Sequence, residues 1–88
     1  MHIRTAQPSD TEAICAFDHV VEIEDSRRTI IEHAVAEGHL HVADAEGEIL
    51  GYVILVYTFF TLGFVELLYV HPNHRRKGIG SALMQYAE

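Results

Sequence analysis

Arg75, Arg76 and Lys77 follow one another directly after an apolar run over residues 65–70, and Gly78 and Gly80 come next. These are three of the chain's six Lys and Arg residues, gathered at one point of a protein whose net charge is −7. Ser81-Ala82-Leu83-Met84-Gln85-Tyr86-Ala87-Glu88 then reads as a helix. A strand, a basic turn with glycines and a helix N-terminus together form an anion cradle. Unpaired backbone N–H groups and the positive end of the helix dipole face whatever binds there. Glycine lets the backbone approach a ligand closely and adopt φ > 0. Such a turn suits a ligand that carries phosphate.

Two familiar phosphate motifs do not fit. A Walker A loop places its lysine after the glycines, and Lys77 precedes them. A dinucleotide fingerprint needs a third glycine where Leu83 stands, and an acidic residue about 20 positions further on. What remains is Arg75-x-x-Gly78-x-Gly80, behind a strand that ends Leu68-Tyr69-Val70-His71-Pro72. This segment resembles the coenzyme A pyrophosphate loop of the GCN5-related N-acetyltransferase (GNAT) superfamily. The resemblance covers the whole chain in order of elements and is sharpest over residues 64–88.

That resemblance implies a fold, a co-substrate and roles for residues. The fold is α/β (α+β), a mixed, mostly antiparallel sheet flanked by helices. Acetyl-CoA is the expected co-substrate, with no metal, and a primary amine on a small molecule or a protein is the acceptor. Arg75, Arg76, Lys77, Gly78, Ile79, Gly80 and Ser81 would hold the pyrophosphate, chiefly through backbone N–H groups. Leu68, Tyr69 and Val70 would pair their backbone with the pantetheine arm, and an N–H near Val70 would face the thioester oxygen. Glu66 is the candidate general base. It is the only charged residue between Ile49 and Val70, and an amine with a pKa of about 10 must lose a proton before it attacks. A carboxylate on an apolar strand also tends towards a raised pKa. The competing reading of Glu66 is a water-facing residue on an open sheet face.

The elements that must position these residues follow in the order β-α-α-β-β-β-α. Residues 2–6 form a short strand. Pro8-Ser9-Asp10-Thr11-Glu12 opens a helix, with Ser9 and Glu12 as a capping box. Arg4 and the Pro8-Ser9-Asp10 start also look like the superfamily's opening. A second helix begins near Asp25-Ser26 and ends at Gly38, a left-handed cap. Residues 39–43 and 49–57 are strands around a turn at 44–48, residues 64–70 are another strand, and residues 78–88 are the last helix. In the superfamily this is the N-terminal half of a domain. A complete one continues with another strand, helix and hairpin, which usually carry a Tyr that protonates the leaving thiolate, and Tyr86 lies in the wrong element for that role. The expectation is therefore a single acyl-CoA-binding domain over residues 1–88, truncated after its third helix. Its exposed strand 64–70 would favour a homodimer, strand-augmented or swapped.

Composition sets further bounds. Hydrophobic residues make up 49% of the 88, which argues against disorder, and the acidic balance argues against nucleic-acid binding. Cys15 is the single cysteine, so no internal disulfide can form, as suits a reducing cytoplasm. No basic-then-apolar leader opens the chain. Residues 49–65 lack charge, as a membrane span would, but Val, Ile, Tyr, Phe and Thr interrupted by Gly51 and Gly63 suit two strands better. His39 and His41 alternate as two water-facing side chains would. His71 and His74 flank the basic turn as a structural corner with Pro72, and Cys15 reads as a small core residue. Phe59 and Phe60 are further core candidates, and Glu22, Glu24 and Asp25 form an acidic loop between the first two helices. Two functions follow. One is an N-acyltransferase or its N-terminal part, and the other is a coenzyme A-binding or self-associating half-domain without turnover.

Overall fold

The computed structural model describes residues 1–57, 63–74 and 78–87, except the side chains of residues 19, 22, 25, 57, 63–66 and 73. The expected element order is present: β1 (His2–Thr5), α1 (Thr11–Phe17), α2 (Asp25–Glu37), β2 (Leu40–Ala45), β3 (Glu48–Tyr57), β4 (Gly63–Val70) and α3 (Ile79–Ala87). The turn expected near residues 58–63 lies largely outside the described residues, as do Phe59 and Phe60.

Local chemistry explains most boundaries. A 3-10 turn over Pro8–Asp10 leads into α1, and the cap there is the Asp10 carboxylate accepting from the Gln7 N–H at 2.7 Å. The box expected from Ser9 and Glu12 is not used, because Asp10 is also drawn towards Arg4, whose Nη1 lies 2.8 Å away. Arg4 reaches Asp44 as well, at 3.1 Å, so one guanidinium on β1 ties the start of α1 to the end of β2. That guanidinium holds the Asp10 carboxyl below the usual carboxylate range. At the other end of α2, Gly38 takes φ 75° and returns its N–H to the last carbonyls, as its position after the helical run requires. Glu46 (φ 52°) and Gly47 (φ 89°) form the two-residue hairpin turn between β2 and β3, with both φ positive as a type I′ turn demands. The Gly47 N–H donates to Asp44.

The four strands lie in the order β1-β2-β3-β4, and every pairing is antiparallel. The β3–β4 register runs from Gly51 opposite Val70 to Ile54 opposite Leu67, then resumes with Leu55 opposite Val65. Glu66 is skipped and is the extra residue of a β-bulge. One cluster of core residues, around Ile14, Ile31, Leu40, Val42, Tyr52 and Ile54, fills the face under α1 and α2. The other, around Ala43, Leu50, Val53, Leu55, Ile79 and Leu83, fills the face under α3. β3 is thus buried on both faces, which is why its run is apolar without alternation. Among the described residues no helix is long and apolar enough to cross a membrane.

Asp18 is the one buried charged side chain among the described residues, 1% exposed. It accepts from Arg27 Nε at 2.9 Å, from the Val20 N–H at 3.0 Å and from the Tyr52 hydroxyl. Burial, and then the bond to Asp18, push the Tyr52 phenol far above its ordinary value, so it remains a donor. This group joins the α1–α2 connection, α2 and the central strand. Removing the carboxylate strands both a half-buried guanidinium and a buried phenol. Asp18→Ala should lower unfolding free energy by about 3–5 kcal/mol, and Tyr52→Phe by about 1 kcal/mol, in urea titrations. Similar losses for the two variants would show that Asp18 is not the hub.

Candidate functional site

The end of β4 and the start of α3 are built around each other. One residue past β4, the His71 N–H still donates to the Leu50 carbonyl at 2.8 Å, which holds the exit of the strand against β3. Pro72–His74 form a 3-10 turn, closed by the His74 N–H on the His71 carbonyl at 2.9 Å. His74 pairs with Glu48 at 3.1 Å, and His71 packs on Phe17 with ring centroids 5.0 Å apart, which makes both part of the Pro72 corner. Gly78 has φ 78°, and its carbonyl accepts from Ala82 at 3.0 Å. Gly78 is therefore the N-cap, and the N–H groups of Ile79, Gly80 and Ser81 occupy the first turn, where an α-helix offers no acceptor of its own. Three adjacent donors and the helix dipole meet at one point.

Leu68, Tyr69, Val70, Gly78, Ile79, Gly80 and Ser81 are accordingly drawn together. Their side chains differ in use. Leu68 and Val70 pack towards α3 beside the buried Ile79 and Leu83, so Ile79 has only its backbone to offer a ligand. Tyr69 alternates to the opposite face. It stacks on Phe17 and Tyr52 at 6.1 Å each, with Arg27 5.5 Å above its ring. The two glycines also separate in role. A side chain at Gly78 would meet nothing within 4 Å, but its backbone lies in the left-handed region. Gly80 is helical, and a Cβ there would lie 3.7 Å from Val70 and 3.9 Å from Leu68, in ordinary contact within the helix–strand crevice. Arg75, Arg76 and Lys77 lie outside the described residues. So does the Glu66 side chain, although the bulge places its backbone in β4.

Gly51, Arg27 and Asp18 were not recognised as part of this arrangement. A Cβ on Gly51 would lie 2.9 Å from the Tyr69 carbonyl oxygen, 3.3 Å from Val70 Cα and 3.4 Å from Ile79 Cγ2. A glycine inside an apolar strand is the recognised sign of such an approach. Nothing in the sequence marked Asp18 or Arg27. His41 departs from the water-facing reading. It is half-buried, its Nδ1 lies 3.0 Å from the Tyr86 hydroxyl and 3.4 Å from Thr5 Oγ1, and it fastens the end of α3 to β2. Burial, and then the neighbouring His39, lower its pKa. Cys15 packs against the core under α1 and α2, and burial raises its thiol pKa, which disfavours the nucleophilic thiolate.

Residues 3–88 match the acetyltransferase (GNAT) family, and the chain belongs to that family. A mycothiol acetyltransferase from Stackebrandtia nassauensis is 41% identical over 58 residues, covering 61% of this chain and 19% of that protein. A GNAT-family acetyltransferase from Bacillus cereus superposes with a TM-score of 0.82 at 32% identity, over 97% of this chain and 60% of that one. The chain thus spans less than two thirds of both relatives. PaiA N-acetyltransferase from Thermoplasma acidophilum, solved in complex with coenzyme A, shares the fold at 16% identity with a TM-score of 0.79, over 98% of this chain and 68% of that one.

The glycine geometry separates two substitutions. Gly78→Ala should cost about 1–2 kcal/mol through its left-handed backbone. Gly80→Ala should leave stability unchanged or raise it by up to about 1 kcal/mol. Thermal melts of the pair check this, and equal losses would contradict it. His41 gives a pH signature. Its imidazole takes a proton less readily in the folded protein than in the unfolded chain, where the ordinary value is 6.5. Its contribution is therefore intact above that value and is lost as pH falls through it. Melting temperature should drop from pH 7.5 to pH 5, and His41→Gln should flatten that slope.

Proposed function

We propose that residues 1–88 form the acetyl-CoA-binding domain of an N-acetyltransferase, acting in the cytoplasm on a primary amine by direct attack. The observation that carries this reading is the amide triplet of Ile79, Gly80 and Ser81 behind the left-handed Gly78, at the mouth of β4. Its donors and dipole suit a pyrophosphate, and Arg75, Arg76 and Lys77 precede it in sequence with three positive charges. Acetyl-CoA, when bound, supplies a thioester at which the amine nitrogen forms a C–N bond, the C–S bond breaks and the thiolate takes up a proton.

The chain's own residues contribute holding, orientation and proton removal. Leu68, Tyr69 and Val70 offer the outer edge of β4, the last strand of the described sheet, to the pantetheine arm. A backbone N–H near Val70 polarises the thioester oxygen. Glu66, displaced from the regular ladder by the bulge, accepts the proton that the ammonium form of the amine must lose. Covalent catalysis has no role here, and the half-buried, raised-pKa Cys15 is not needed as a nucleophile.

The edge position of β4 favours a second reading, a coenzyme A-binding unit that self-associates as a homodimer without turnover. Thiol release from acetyl-CoA in the presence of an amine, alongside calorimetric titration, separates the two. Glu66→Gln should keep acetyl-CoA affinity within about twofold and lose about a hundredfold or more in rate. Arg75→Ala with Gly78→Val should lose binding itself. Full turnover in Glu66→Gln would remove Glu66 from the mechanism, and binding without turnover in the wild type would favour the second reading.

A further inference from the structure

The ladder fixes the direction of one peptide at the end of β4. The His71 N–H donates to the Leu50 carbonyl at 2.8 Å, so those two residues face each other across the strands with their polar groups inward. In an antiparallel pair, such positions alternate with positions whose N–H and C=O groups point away from the partner strand. Val70, opposite Gly51 and one place before His71, is of the outward kind. The Tyr69 carbonyl agrees. Its oxygen lies on the β3 side, where a Cβ on Gly51 would come within 2.9 Å of it. Across a trans peptide the Val70 N–H must then point the opposite way, towards the outer edge of β4. This is the amide proposed above to polarise the thioester oxygen.

A closed circuit of side chains meets that peptide from the face under α1 and α2. Arg27 lies 5.5 Å above the Tyr69 ring, within the range of a cation–π contact. Its Nε donates to Asp18 at 2.9 Å, and Asp18 also accepts from the Tyr52 hydroxyl. Tyr52 closes the circuit, for it stands opposite Tyr69 in the register with the two rings 6.1 Å apart and 24° from parallel. Phe17 stacks on Tyr69 from α1, also at 6.1 Å. We infer that Arg27 is a positioning residue. Through the Tyr69 ring it fixes the peptide joining Tyr69 to Val70, and so the aim of the Val70 N–H at the thioester oxygen. The inference deepens the acetyltransferase reading above and rests on it. A planar guanidinium can donate along its edge and cover a ring with its face at once, which an ammonium cannot. α3 packs on the opposite face of the sheet, so the brace acts on the thioester end of the site and not on the first-turn amides of α3.

The test compares ¹H–¹⁵N spectra of the full chain saturated with coenzyme A and with acetyl-CoA, which differ by the acetyl group that carries the thioester oxygen. In the wild type the Val70 amide should move further with acetyl-CoA than with coenzyme A. Arg27→Met, which keeps an unbranched side chain without the charge, should lose that extra movement, while the shifts at Gly80 and Ser81 and the acetyl-CoA affinity stay within about twofold of wild type. Arg27→Lys should recover only part of it. Tyr69→Leu, which removes the ring and leaves Arg27 in place, should lose it as Arg27→Met does. An unchanged Val70 difference in Arg27→Met overturns the positioning role. So does a loss that Gly80 and Ser81 share, since that is the mark of a general disturbance of the fold. Acetyl-CoA binding in the wild type without extra movement at Val70 overturns the role and leaves the cofactor site standing, whereas absence of acetyl-CoA binding overturns the transferase reading and the role together.

Discussion

There is no room for a side chain at position 51, and the geometry of the site depends on that. At Gly51 the backbone of β3, the backbone of β4 and the first residue of α3 converge, with the Tyr69 carbonyl oxygen and Val70 Cα closer than normal contact to a Cβ placed there and Ile79 Cγ2 at contact. The fold brings three elements together where a helix N-terminus must be set relative to a strand end. Ile79, at the head of α3, is thereby set against the end of β4. The glycines of the turn then do less than their spacing implies. Gly78 supplies a backbone conformation, while Gly80 smooths the face that α3 lays on Leu68 and Val70.

β4 is shared between two structures of different chemistry. Leu68 and Val70 belong to an apolar layer under α3, and Leu67 and Tyr69 belong to the layer under α1 and α2. In that second layer the buried Asp18 gathers Arg27 and Tyr52, and Arg27 lies over Tyr69, which stands opposite Tyr52 in the register. A charge kept out of water can persist only with partners of this kind. The consequence is that the strand carrying the proposed donor contacts is braced from below by the segment that joins α1 to α2.

Much of this was legible in the residues. The apolar strand, the basic turn and the amphipathic last helix mark the proposed phosphate site by residue type and spacing, and the order of elements follows from turn residues such as Gly38 and Gly47. Other features were not legible, for physical reasons. Ser9 and Glu12 have the spacing of a capping box, but the box that forms lies on the preceding 3-10 turn, between Gln7 and Asp10, where Arg4, brought near by β-pairing, holds Asp10 in place. His41 looked water-facing because strand alternation says nothing about a tyrosine 45 positions later in the chain. The Asp18 group joins residues on three elements, and no local window contains it. The bulge at Glu66 is likewise a property of two strands and their register.

The central claim is that the first turn of α3 is the phosphate cradle. Its most direct test is the ¹H–¹⁵N spectrum of the wild-type chain with and without coenzyme A. The account predicts that the largest amide shifts fall on Gly78, Ile79, Gly80 and Ser81 and that they saturate together. Binding that leaves these four amides unmoved while others shift would contradict it.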